Sequence, residues 1–333
     1  MGSLFAAGGV VLIALTMIDV FWTTITARGA GSITARLTQS LHRGLRRLAE
    51  LAHLERLLAV GGPLILCLTF TVWVSLLWAG WWLLVQSDPQ AVVSSATGLP
   101  GGPIDRLYFV GFTLSTLGIG DFKPGSGLWR VLTALMALNG LVVITLAITY
   151  ILSVLSAVIA ARQTAGQISA LGRSPEEILI RGFDGQSFGP LETWLGTLMP
   201  SVLALAQNQL AFPIMHTFRS MTADAASPAR AALLAEAVLL LRAGVAPEAR
   251  PSPGLTAPVD DALDQLLRTM LPNLQVHPET PPAPDLRTLA RDGVSVVNQE
   301  DWRATLAAER QRRQQLHALV RLDGWTWSEI VRG

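Results

Sequence analysis

Apolar residues in this chain come in long blocks rather than in alternation. From Val60 to Val85 there are 26 residues without a charge, and from Val131 to Ala161 there are 31. About 20 apolar residues cross a bilayer core, so both blocks predict membrane-spanning helices. A third block runs from Leu4 to Ile18 and continues past Asp19 to Ala27. A secretory signal begins with basic residues, and the first 27 positions hold neither Lys nor Arg. This block is therefore read as a retained span over 1–27. It would place Asp19 inside the membrane, where a carboxylate needs a partner. The arginines at 28 and 36 are the expected ones.

Charge sets the orientation. Arg28, Arg36, Arg43, Arg46, Arg47 and Arg56 lie between the first two spans, whereas Gln86 to Pro103 holds no basic residue. Basic loops stay inside. The N-terminus and the 86–103 loop are then expected outside, and the C-terminal half in the cytoplasm. Within 28–59, Leu37, Leu41, Leu45 and Leu48 recur at helical spacing among arginines. That pattern predicts a basic amphipathic helix, either on the inner membrane surface or packed on a cytoplasmic domain.

Composition narrows the function. Only 15% of residues are charged and 50% are hydrophobic, with a net charge of +1. Nothing in that balance points to nucleic acid. The single cysteine, Cys67, excludes an intramolecular disulfide. After Ala161 the chain becomes more charged, with helical patterns such as Ala229 to Arg242 and Trp302 to Leu322. Two proline-rich stretches, 247–258 and 278–284, read as linkers or extended loops. A mostly helical cytoplasmic regulatory region over 162–333 is expected. Neither a dinucleotide-binding glycine motif nor a catalytic constellation is visible there, so no enzyme activity is expected. His216 is read as a pH sensor, a ligand or a structural histidine. Trp194, Trp302, Trp325 and Trp327 are read as pocket or core.

The segment between the last two spans is too short to cross again. Pro103 opens a possible helix over 104–115, and "TLSTLGIGD" follows from Thr113 to Asp121. Non-helical backbone at membrane depth survives only where protein or a water-filled path satisfies it. Gly118 and Gly120 alternate with bulkier residues. Glycine reaches backbone angles closed to other residues, so alternation lets successive carbonyls point one way.

"TLSTLGIGD" matches, at each fixed position, the TxxTxGxG-plus-Asp signature of potassium channels, and residues 60–161 resemble their two-span pore domain, of bacterial type with an extra N-terminal span. The resemblance implies an all-α membrane protein: span 60–86, pore helix 104–115, filter 116–121 and span 129–161. It implies that Thr116, Leu117, Gly118, Ile119 and Gly120 form the ion-binding filter, with K+ held by the carbonyls of the first four and by the Thr116 hydroxyl. Thr113, Tyr108, Phe109 and Asp121 would support the filter, and Gly140 would be a gating hinge or a close-packing position. A ring needs four filter segments, so a homotetramer in the cell membrane is expected. Its cytoplasmic region would answer an unidentified ligand or partner. Ile119 departs from the common aromatic, Phe112 stands where some members place a carboxylate, and Lys123 sits near the outer mouth. The alternative is a non-conducting membrane sensor or scaffold with its activity in 162–333.

Overall fold

The computed structural model describes residues 1–26, 29–52, 56–322 and 324–332. The chain divides into two compact units, Met1–Val154 and Leu155–Gly333.

The first unit is built on three apolar helices. Helix α1 (Gly2–Ile25) runs antiparallel to α3 (Arg56–Gln86), with α2 (Ser32–Ala52) between them in sequence. The α1–α3 crossing is close because it is made by small residues. A Cβ on Gly9 would lie 2.7 Å from the Gly80 carbonyl oxygen. Leu4, Val10, Val11, Leu15 and Ile18 remain exposed. An apolar surface of this extent suits lipid rather than water. Three helices, α1, Val60–Gln86 of α3 and α5 (Gly127–Leu171), have the length and composition to cross a membrane. Between α3 and α5 lie strand β1 (Val92–Ser94), helix α4 (Pro103–Leu114) and strand β2 (Phe122–Pro124). The two strands pair antiparallel, with Val93 opposite Lys123 and Ser94 opposite Phe122. This short ribbon is the exception to an otherwise helical unit.

Asp19 is 3% exposed and faces protein. Its Oδ1 accepts the Ile33 amide at 2.8 Å. Its Oδ2 accepts the Thr34 hydroxyl at 2.6 Å, the Thr34 amide at 3.2 Å and the Trp73 indole N–H at 3.1 Å. The first amides of a helix lack partners within it, and they favour negative charge. Asp19 of α1 thus caps α2 from another helix and ties both to α3. Among the described residues the partners are neutral donors and Arg36 is exposed rather than paired; the expectation for Arg28 lies outside the described residues. Gly31 makes the approach possible, because a Cβ there would come within 2.7 Å of the Asp19 carboxyl carbon.

The second unit contains the end of α5 and eight further helices: α6 (Pro175–Gly182), α7 (Gly189–Ala211), α8 (Ser227–Leu239), α9 (Pro253–Met270), α10 (Leu286–Arg291), α11 (Gln299–Ala308), α12 (Arg310–Leu322) and α13 (Trp327–Arg332). All of α8 is buried, including Arg230 and Glu236. A buried charge must be paired. The Arg313 Nε of α12 reaches both Glu236 oxygens at 3.0 Å. Asp224 pairs with Arg230.

The second proline-rich stretch is not a loose linker. Arg313 also donates to the Pro281 and Pro282 carbonyls, Gln314 to Pro278 and the Trp302 indole to Pro284. A proline run forms no ladder of its own, so its carbonyls need outside donors. Here α11 and α12 supply them. Trp302 and Trp327 are core residues, at 2% and 7% exposure.

His216 lines a cavity of about 20 Å³ with Met215, Phe218 and Met270. Its Nδ1–H donates to the Pro213 carbonyl. Burial pushes the imidazole below its usual pKa, and that carbonyl opposes the shift.

Two outcomes follow from these sites. In Asp19→Asn an NH2 group replaces an acceptor that faces only donors, which should cost about 1–3 kcal/mol. Thermal melting of the detergent-solubilised protein checks this; an unchanged midpoint contradicts the capping role. For His216 the folded pKa lies below the unfolded value of about 6.5, so the unfolded chain takes up the proton more readily. Stability is then complete above that value and falls as pH drops through it. Wild type should lose more unfolding stability than His216→Gln between pH 7.5 and 5.5, and equal losses would contradict this.

Candidate ion-conduction site

Helix α4 starts where its sequence says it should. Pro103 occupies the first turn, and the Asp105 carboxylate accepts the Gly102 amide at 2.8 Å. Two tryptophans of α3 hold its outer face. The Trp78 indole donates to the Leu107 carbonyl at 2.9 Å and the Trp82 indole to Pro103 at 3.1 Å. Phe109, Phe112, Thr113 and Leu114 are buried. Tyr108 packs edge-on against Phe112 at 5.1 Å and Phe122 at 6.4 Å, while Phe109 meets Phe112 at 5.3 Å. Tyr108 also interacts with Asp121. The two aromatics therefore lie behind the loop, and Tyr108 partners the carboxylate that Phe112 cannot.

Arg106 gives no signal in the sequence. It is buried on α4 and donates to the carbonyls of Gly101 and Pro89 and to the Gln86 side chain, at 3.0, 2.9 and 3.0 Å. No carboxylate pairs with it among the described residues. It joins α4 to the end of α3 and the loop that follows. The Trp129 indole at the start of α5 closes the same region, donating to Asp88 at 2.7 Å.

Beyond Leu114 the chain turns sharply. The Thr116 amide donates to the Thr113 carbonyl at 3.0 Å, and the Leu117 amide to Phe112 at 2.8 Å. Then the backbone alternates. Thr116, Gly118 and Gly120 have φ of +59°, +58° and +89°, whereas Leu117 and Ile119 do not take positive φ. Thr116 is the only non-glycine in that region among the described residues. A β-branched residue there is a true outlier, of the kind held in place at functional sites. For Gly118 and Gly120 the angle, not space, sets the requirement: a Cβ at either would meet nothing within 4 Å.

The alternation carries a consequence for oxygens. Among the described residues, the carbonyls of Thr116, Leu117, Gly118 and Ile119 accept no hydrogen bond. Residues 115–121 are exposed in the single chain. At the outer end the pattern stops. The Gly120 carbonyl accepts the Ser95 hydroxyl at 2.7 Å, and the Asp121 carbonyl accepts the Ser95 amide at 2.8 Å. The Asp121 carboxylate accepts the Phe122 amide at 3.0 Å. Unpaired backbone oxygens are expensive where water is absent. A row of four is suited to a cation.

Gly140 lies elsewhere, buried on an unbroken stretch of α5. A Cβ there would come within 2.7 Å of the Leu114 carbonyl carbon. Its observed task is close packing of α5 against the end of α4. Asn139 beside it is half-buried.

Comparison with known proteins agrees with this geometry. A family model described as "Ion channel" matches residues 64–157, which contain most of the span in α3, the whole of α4, the loop and the first part of α5. A protein of Bacillus subtilis (strain 168), "Uncharacterized membrane protein YdjJ", is 31% identical over 326 residues, covering 97% of this chain and 95% of its own. No solved structure matches. The chain belongs to the same family as that membrane protein, and its residues 64–157 match the ion-channel model.

Proposed function

We propose that the protein is a potassium-selective channel, working as a homotetramer in the cell membrane with its N-terminus outside and residues 162–333 in the cytoplasm. The observation that carries this reading is the alternating backbone at Thr116, Gly118 and Gly120, with the carbonyls of residues 116–119 left without a partner among the described residues. One chain supplies one strip of oxygens. Four chains around an axis turn the strips into stacked rings that replace the water around a cation. Such rings suit potassium because it sheds water more readily than sodium. The Thr116 hydroxyl adds a further oxygen at the inner end. The flow is passive, so no energy-supplying cofactor is needed.

Support for the rings comes from behind. Tyr108, Phe109 and Phe112 pack as a cuff, and Thr113 anchors the turn through its carbonyl. The gate belongs at the inner end of α5, which runs without proline to Leu171. A ligand or partner bound to residues 162–333 would act on it through that helix. Gly140 is the point at which α5 would bend, with the Leu114 contact opening as it does.

Reconstitution of the full chain in vesicles, with reversal potentials under mixed potassium and sodium, tests the reading. Potassium should permeate well above sodium. In Gly118→Ala, an alanine held at positive φ costs about 1–2 kcal/mol in each subunit. The carbonyl strip should distort, and the preference for potassium should fall or conduction should cease. A Gly118→Ala channel with wild-type selectivity would place the filter elsewhere; a wild type that passes no ion would reject the channel reading altogether.

A further inference from the structure

Nothing in the motif points to Ser95. It lies 18 residues ahead of Thr113, in the loop after β1. Yet this residue makes two contacts with the outer end of the filter strip. Its hydroxyl donates to the Gly120 carbonyl at 2.7 Å, and its amide donates to the Asp121 carbonyl at 2.8 Å. The neighbouring pairing of Ser94 with Phe122 fixes the register that brings it there.

We propose that the Ser95 hydroxyl is a positioning group that ends the ion array, by turning the Gly120 carbonyl toward the outer ribbon and out of the row. The inference rests on the channel reading above and specifies where the row stops. Its basis is a contrast between adjacent oxygens. Those of Thr116, Leu117, Gly118 and Ile119 take no hydrogen bond among the described residues, and the next one is held by an O–H···O bond of ordinary length. A carbonyl follows a strong donor that lies near its plane, so this bond sets the rotation of the peptide between Gly120 and Asp121.

Little else restrains that peptide. Gly120 sits at φ +89° in open space. Phe112, behind the strip, has no polar group to offer. The amide of Ser95 restrains the following carbonyl and keeps the ribbon docked, but it does not touch Gly120. The two contacts are therefore separable. Removing the hydroxyl leaves the ribbon in register and the Asp121 contact intact. It frees one oxygen at the outer end to turn toward the axis, where it would add a ligand for a cation arriving from outside.

The test is the dependence of potassium current on external potassium, for the full chain in planar bilayers, with tetramer size checked for every variant. Ser95→Ala should lower the half-saturating external potassium by about fivefold, the scale of one ordinary hydrogen bond. Ser95→Thr keeps a hydroxyl and should behave as wild type. Ser95→Cys, a weak donor of nearly the same size, should fall between them. A residue that merely stabilised the loop would change the yield of tetramers and leave this saturation curve in place. If wild type conducts and both the alanine and cysteine variants saturate as wild type does, the inference is wrong. If the alanine variant does not assemble, the cysteine variant decides alone: a shifted curve supports the proposal and an unshifted one overturns it. A wild type without potassium current would instead remove the channel reading beneath it.

Discussion

Backbone carbonyls that leave a helix inside an apolar medium must find a partner. This constraint organises the pore unit. Helix α4 ends at Leu114, and the chain returns outward through seven residues that are neither helix nor strand. Four amides there, those of residues 115–118, are tied back to the end of α4, through Gly111, Thr113 and Phe112. The oxygens of 116–119 accept no hydrogen bond among the described residues. A soluble loop would leave them to water. At membrane depth the same oxygens call for a cation pathway, and the proposed function is the consequence.

The rest of the unit keeps that strip in place. Trp78 and Trp82 fix α4 against α3, and Arg106 fixes it to the loop that follows α3. Gly140 lets α5 reach the end of α4. At the other side of α3, Asp19 gathers α1, α2 and the Trp73 indole around one carboxylate. Each of these contacts satisfies polar groups that would be costly in lipid. The strain at Thr116 is held by the turn, whose amides at 116 and 117 are bonded to Thr113 and Phe112.

Much of this was legible in the sequence, and the reasons are physical. The spans could be read because membrane crossing needs a fixed length of apolar chain. Gly118 and Gly120 could be read because positive φ selects glycine. Thr116 shares the same angle but carries no such mark. Ser95 and Arg106 were invisible for another reason. Their partners are mainly backbone carbonyls, which every residue has, and only the fold of the 86–103 loop decides which ones they meet. Asp19 announced itself as a residue needing a partner, yet Arg36 is not one of those it finds. Arginines were the obvious opposite charges, whereas the first turn of α2 offers free amides at close range. The prolines of 278–284 suggested a linker or an extended loop; the stretch is extended, and donors on α11 and α12 make it a fixed strap.

The central claim is that the carbonyls of Thr116, Leu117, Gly118 and Ile119 form the cation path. Anomalous diffraction from crystals of the full chain grown with rubidium, a scatterer close to potassium in size, addresses it most directly. The account predicts anomalous peaks in a row along a four-fold axis, each surrounded by these carbonyl oxygens. Well-ordered crystals with no peak beside residues 116–119, or with these carbonyls turned away from any shared axis, would contradict it.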